Sequence, residues 1–233
     1  MKRILIFLFL LSGTIVAQDN RIAQFTVWEP KENQAFDFRR GYRQHIQWRK
    51  TAGDNWEWHG WYFTSGPRIG QFLEGTFNHS WSDFDNPIDP TEEGQDSQLN
   101  VEPFAYLRSR YKAFFLKDQS LATSGSLRSK MMRMVTITVT EMPAAIKIID
   151  RFKNTFRSNS DVSTLMAFKV IDGGNANQLI LLIGSNSWEQ YGKTENIQDQ
   201  LANIENAMKL KLTIDRITSE TLTFQPDLSL VPE

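Results

Sequence analysis

Residues 65–86 read SGPRIGQFLEGTFNHSWSDFDN, and residues 172–193 read DGGNANQLILLIGSNSWEQYGK. Laid over one another without a gap, they share Gly66/Gly173, Gln71/Gln178, Ser80/Ser187 and Trp81/Trp188. Apolar positions match too, as in Phe72/Leu179 and Leu73/Ile180. At a slightly different offset Phe115–Ser120 (FLKDQS) rhymes with Phe224–Ser229 (FQPDLS). A stretch written twice in one chain predicts two copies of one structural unit.

The periodicity around these stretches gives the unit its element order. Gln24–Trp28 reads as a short strand closed by Pro30. Ala35, Phe38, Tyr42, Ile46 and Arg49 recur at helical spacing, and Gly53-Asp54 breaks the run. Trp56–Thr64 and Ile69–Trp81 read as strands joined by the turn at residues 65–68, a hairpin. A polar loop is expected from Ser82 to Asn100, long enough to serve as a lid or rim. Beyond Pro103, residues Phe104, Leu107, Tyr111 and Phe114 continue as a helix or lead into a fourth strand. The second copy predicts strands at 134–140, 165–171 and 178–184. Its helices are expected at 143–156 and 196–210, with one or two closing strands at 212–224. Each copy thus reads β-α-β-β-α-β, the ferredoxin-like split βαβ. The expected class is α+β, with units at 24–122 and 131–230 joined by a small, polar linker at 123–130. A four-stranded sheet with helices on one face leaves the other face apolar, and two such faces in one chain can cover each other.

Composition narrows the function classes. The chain has 233 residues, no cysteine, 12% aromatic residues and a formal net charge of −1. The absent cysteine excludes a disulfide scaffold, a thiolate zinc site and a cysteine nucleophile. The balanced charge gives no footprint for nucleic acid. Met1-Lys2-Arg3, the apolar run Ile4–Val16 and the small Ala17 read as a signal peptide over 1–17, too short to span a bilayer. Export to a periplasmic or extracellular location is expected, with no membrane association after cleavage.

The doubled plan, with an aromatic hairpin ending in Ser80-Trp81 and Ser187-Trp188, resembles the dimeric α+β barrel superfamily. The turn at Gly66-Pro67 followed by Trp81 looks most like its NIPSNAP branch; the antibiotic-biosynthesis monooxygenases are another branch. The resemblance implies an intrachain α+β barrel and a monomer or homodimer. It also implies either no required cofactor or haem, since the superfamily holds cofactor-free oxygenases, haem proteins and members without known activity.

The two halves differ in chemistry. All three histidines, His45, His59 and His79, lie in the first half, as do Trp28, Trp48, Trp56, Trp58, Trp61 and Trp81; only Trp188 lies in the second. Strand alternation puts Glu57, His59, Trp61 and Phe63 on one face and Trp56, Trp58, Gly60 and Tyr62 on the other. On the facing strand it puts Leu73, Gly75, Phe77, His79 and Trp81 together. Glu57 beside His59 is expected to raise the imidazole pKa. Gly60 and Gly75 leave room for a ligand or a close-packed ring. The site reading is therefore an aromatic pocket of Trp58, Trp61, Phe63, Phe77 and Trp81, with His59, His79 or His45 as acid, base or haem ligand. The competing reading is a filled core with satisfied histidines. Asp83, Asp85 and Asp89 are hard oxygen ligands suited to calcium, but their spacing is not that of an EF-hand, and a solvated acidic loop competes. No phosphate loop, dinucleotide fingerprint or nucleophile elbow is present. Three functions follow: binding of a small molecule, oxygenase chemistry without a cofactor or with haem, or a structural or partner-binding role.

Overall fold

The computed structural model describes residues 21–122, 125–157 and 164–231. The expected signal peptide at 1–17 and the first two residues of the expected linker lie outside them. In the rest of that linker Ser126–Arg128 forms a short 3-10 turn.

Chain order is β1 (Ile22–Pro30), α1 (Ala35–Ala52), β2 (Trp58–Phe63), β3 (Phe72–His79), α2 (Pro90–Asn100) and β4 (Ala105–Phe115). It continues with β5 (Met131–Val139), α3 (Met142–Arg157), β6 (Thr164–Asp172), β7 (Gln178–Ser185), α4 (Trp188–Gly192), α5 (Ile197–Ala207) and β8 (Ile214–Phe224). The strands close into one antiparallel barrel in the order β1-β3-β2-β8-β5-β7-β6-β4. The halves meet twice, at Trp61–Phe63 of β2 against Leu222–Phe224 of β8, and at Lys112–Phe115 of β4 against β6.

Period-two alternation sorts the strand residues. Phe25, Val27, Trp61, Phe63, Leu73, Met132, Met134, Phe168, Ile180 and Leu222 fill the barrel interior. The outward face of the first half packs Trp28, Trp58 and Phe72 against Phe38, Tyr42 and Ile46 of α1. The outward face of the second half packs Val135, Ile137 and Leu181 against Ile148, Ile149 and Phe152 of α3 and Leu201 of α5. β2 is thus covered on both faces, which explains why it is aromatic on both.

Two expectations change. The polar loop at 82–100 contains α2. It carries no apolar stripe, so periodicity misses it, but its start has other signals. The Asp89 side chain accepts from the N–H groups of Thr91 and Glu92, Pro90 stands in the first turn, and Glu92 and Glu93 complement the helix dipole. The segment after Pro103 resolves to a strand, β4, because it pairs along its length with β1. Among the described residues no helix is long and apolar enough to cross a membrane.

Candidate functional site

A cavity of about 180 Å³ lies between the outward face of the first half and its two helices. Its walls are aromatic: Trp28 from β1, Tyr42 from α1, Trp56 and Trp58 from the entry to β2, and Phe84 from the turn after β3. Its polar groups are Glu74, His45, Arg49 and Asp54, beside Gln24 and Arg110, with Glu93 and Ser97 of α2 forming the roof.

Glu74, His45, Arg49, Asp54 and Glu93 are held in two sets. The Tyr42 hydroxyl donates to Glu74 Oε2 at 2.6 Å, with both side chains buried. Burial first, and the Glu74 carboxylate second, push the Tyr42 phenol well above its ordinary pKa, so it stays a donor. In the second set Arg49 lies with its guanidinium 3.8 Å from the centre of the Trp58 ring and donates to Asp54 and Glu93, each at 2.9 Å. Asp54 also accepts from the Trp58 indole N–H at 2.9 Å. His45 Nδ1 meets Asp96 at 2.6 Å, and its Nε2 accepts from Arg49 at 3.2 Å. Trp28 Nε1 is different. It is buried on the wall of this cavity and has no hydrogen-bond partner, a state that costs about 1–3 kcal/mol when left uncompensated.

The sequence-predicted residues separate into three places. Trp58 and His45 line the cavity. Trp61, Phe63 and Phe77 point the other way, into the barrel interior, and His59 lies with them. It stacks on Trp61 at 5.6 Å and meets Phe77 edge-on at 5.6 Å. Glu57 precedes β2 and is exposed, so the expected rise in the His59 pKa is reversed. Burial, then the Arg128 charge, lower it to about 4. Gly60 and Gly75 make room for rings. A Cβ on Gly75 would stand 3.0 Å from Phe77 and 3.1 Å from Trp61, and one on Gly60 would stand 2.6 Å from Phe72 and from the Leu228 carbonyl oxygen.

His79 does not share the face of Phe77. Asn78 has φ 64°, and the β1 pairing slips there, with Ile22 opposite His79 and Gln24 opposite Thr76. This bulge turns His79 outward, where its Nε2 meets Thr76 Oγ1 at 2.6 Å and its ring lies 4.0 Å from that of Trp56. Trp81 is exposed on the surface, as is Trp188 in the second half. Asp83 accepts from the Ser80 backbone N–H, and Asp89 caps α2. No cluster of three or more metal-ligating side chains occurs among the described residues.

Sequence reasoning missed Glu74, Asp54, Trp28 and Glu93 as cavity groups. One signal was present: Arg49 falls on the apolar stripe of α1, and a charged residue on a buried face demands partners.

Haem does not fit the donors present. His45 has both ring nitrogens engaged, and His79 gives Nε2 to Thr76. His59 has an unpartnered Nδ1, but it sits among packed rings inside the barrel and does not line this cavity. The cavity itself is smaller than the roughly 300–1,000 Å³ that holds drug-sized ligands.

No protein-family model and no curated protein matches the sequence. Solved structures do match in fold. A suggested monooxygenase from Lactobacillus acidophilus superposes with TM-score 0.60 at 12% identity, over 92% of this chain and 100% of that one. An anthrone oxidase-like protein gives TM-score 0.59 at 10% identity, over 89% and 92%. The chlorite dismutase of Candidatus Nitrospira defluvii gives 0.55 at 7% identity, over 90% and 92%. At these identities the likeness is one of fold alone: this chain is an α+β barrel built like theirs.

Proposed function

We propose that this chain is an exported protein that binds a small aromatic molecule in the helix-covered cavity of its first half. The observation that carries the reading is Trp28 Nε1, an unpartnered buried donor among the aromatic walls of the cavity. A ligand with a flat apolar body and one acceptor atom fills the space and satisfies that donor. Calorimetric titration with 2-naphthol tests it. Saturable binding that is lost in Ser97→Phe, which fills the cavity roof, supports the reading. Absence of saturable heat, or the same heat in the variant, favours a structural or partner-binding role instead.

A second reading, a cofactor-independent oxygenase, draws on the fold likeness to a suggested monooxygenase and an anthrone oxidase-like protein. Glu74 supports it as a buried carboxylate within the same cavity, placed to act as a base on a phenolic or enolisable substrate. Anthrone and dioxygen give anthraquinone and water with no external reductant, so oxygen uptake with anthrone separates the two readings. Uptake that is lost in Glu74→Gln favours the enzyme; binding without uptake leaves a binding protein.

The finer architecture belongs to the same proposal: two fused ferredoxin-like units, 24–122 and 131–230, of NIPSNAP type. Support comes from the strand order, β4-β1-β3-β2 in one half and β8-β5-β7-β6 in the other. Matched residues also take matched roles. Gly66 and Gly173 both have positive φ, in the β2–β3 and β6–β7 turns. Ser80 and Ser187 each open a short helical turn, beginning at Trp81 and Trp188. Export rests on residues 1–17, and a mature chain beginning at Gln18 is the result that supports it.

A further inference from the structure

A second cavity, of about 390 Å³, opens at the barrel end where the β2–β3 and β6–β7 turns lie. It is separate from the helix-covered cavity, and nothing in the reading above uses it. Its floor is Met134, Val170 and Ile180, which belong to the barrel core. The next inward positions toward the mouth, two residues along each strand, are polar: Thr136 on β5 and Gln178 on β7. Ser109 on β4 and Thr218 on β8 complete the rim. The barrel interior is therefore apolar at its middle and rich in hydroxyl and amide groups at this end.

The charged groups here cancel. Glu220 is buried inside the mouth, with 1% of its side chain exposed, and Arg68 closes on it from the β2–β3 turn. The Arg68 backbone N–H reaches Oε1 at 3.1 Å, its Nε reaches Oε2 at 2.9 Å, and its Nη2 reaches Oε2 as well. The guanidinium also lies over the Phe63 ring, 4.1 Å from its centre. Beside them Tyr111 lines the wall. Burial pushes its phenol up to about 12, so it remains a neutral donor. An ionised ligand entering this mouth loses hydration and finds no uncompensated counter-charge. A hydroxyl both donates and accepts, which matches the serine, threonine, tyrosine and glutamine groups of the rim. The volume falls within the roughly 300–1,000 Å³ of small-molecule sites.

We propose that this barrel mouth, built from both halves of the chain, is a second ligand site that takes a neutral, hydroxyl-bearing small molecule with an apolar body. The hydroxyl meets the rim, and the apolar body rests on Met134, Val170 and Ile180.

Three probes with one ring and different heads test it: benzyl alcohol, benzoate and benzylamine. The readout is the methyl resonance of Met134 in full-length protein labelled at its methionine methyl groups, assigned with Met134→Leu. Benzyl alcohol is expected to shift this resonance saturably, and the charged probes to bind at least tenfold more weakly. Thr218→Phe, folded by circular dichroism, is expected to abolish the shift, whereas Ser97→Phe in the other cavity leaves it unchanged. Glu220→Gln frees the Arg68 charge and is expected to turn the preference toward benzoate. If that variant does not fold, the double variant Arg68→Gln with Glu220→Gln keeps the mouth neutral and is expected to keep the preference for benzyl alcohol. The proposal is overturned if benzyl alcohol gives no saturable Met134 shift or if a charged probe binds as tightly. It is equally overturned if Thr218→Phe leaves the shift intact or Ser97→Phe removes it.

Discussion

Arg49 on α1 reaches Glu93 on α2 at 2.9 Å, across the roof of the helix-covered cavity. The same arginine holds Asp54 at 2.9 Å on the cavity's side. The two bonds differ in surroundings. The Asp54 side chain is 3% exposed and the Glu93 side chain 32%. No residue of α2 is buried, so that helix lies over the cavity through polar contacts rather than through a packed apolar face. A second such contact joins His45 Nδ1 to Asp96 at 2.6 Å.

Removing the two ends of the Arg49 network therefore has unequal consequences. Arg49→Met leaves Asp54 buried without its counter-charge and is expected to cost about 3–5 kcal/mol in urea unfolding. Glu93→Gln loses only a partly exposed pair and is expected to cost under about 1 kcal/mol. Its effect is expected to be local, as faster amide hydrogen exchange in Pro90–Asn100 with unchanged protection in β1 and β3. Equal losses of stability in the two variants contradict this division.

Trp28→Phe keeps a ring on the cavity wall and deletes the unpartnered N–H. The smaller ring loses packing, while the deletion relieves a donor penalty of about 1–3 kcal/mol. The two effects oppose, and net stability is expected to change by under about 1 kcal/mol. Affinity for 2-naphthol is expected to fall about tenfold, or about 1.4 kcal/mol. Calorimetry and urea unfolding on the same preparation separate the effects. Unchanged affinity contradicts a role for the indole N–H in binding.

The strand β2 was legible because a strand covered on both faces reads as a run of large side chains, and Trp58–Phe63 does so at every position but Gly60. The helix α1 was legible from Phe38, Tyr42 and Ile46, which meet the sheet at helical spacing. Two things were not. The α2 helix has no apolar face to set a period, and only its Asp89-Pro90 start marks it. The outward turn of His79 depends on the left-handed Asn78, and a bulge leaves no trace in a period of two. The cavity groups lay hidden for a related reason. Glu74 sits on a strand face whose partner, Tyr42, is 32 residues earlier, and only the folded chain brings them together.

Gly75 shows which of two readings of a strand glycine holds. The space beside it is taken by Phe77 and Trp61, not left for a ligand. Gly75→Ala forces both rings to move in a packed interior and is expected to cost about 1–3 kcal/mol, measured by the urea midpoint at constant slope. A neutral or stabilising effect contradicts close packing of the three side chains.

His59 makes the barrel sensitive to acid. Its folded pKa is lowered to about 4 from 6.5, by burial first and then by Arg128, and its Nδ1 has no partner to favour the charged form. Below pH 6.5 the unfolded chain takes up a proton at this residue that the folded chain refuses, so falling pH favours unfolding. The contribution is fully present above pH 6.5 and is lost progressively toward pH 4, by about 3 kcal/mol in all. His79, also lowered by burial, acts in the same direction. His59→Leu removes one of these protons and leaves the other. Its unfolding free energy is expected to fall with acid by about one proton less than wild type between pH 6 and pH 4.5, and at pH 7 to equal or exceed the wild-type value because the orphaned nitrogen is gone. Urea unfolding at four pH values measures both. Parallel pH profiles for the two proteins place the imidazole in contact with solvent or a carboxylate, contrary to its packing against Trp61 and Phe77.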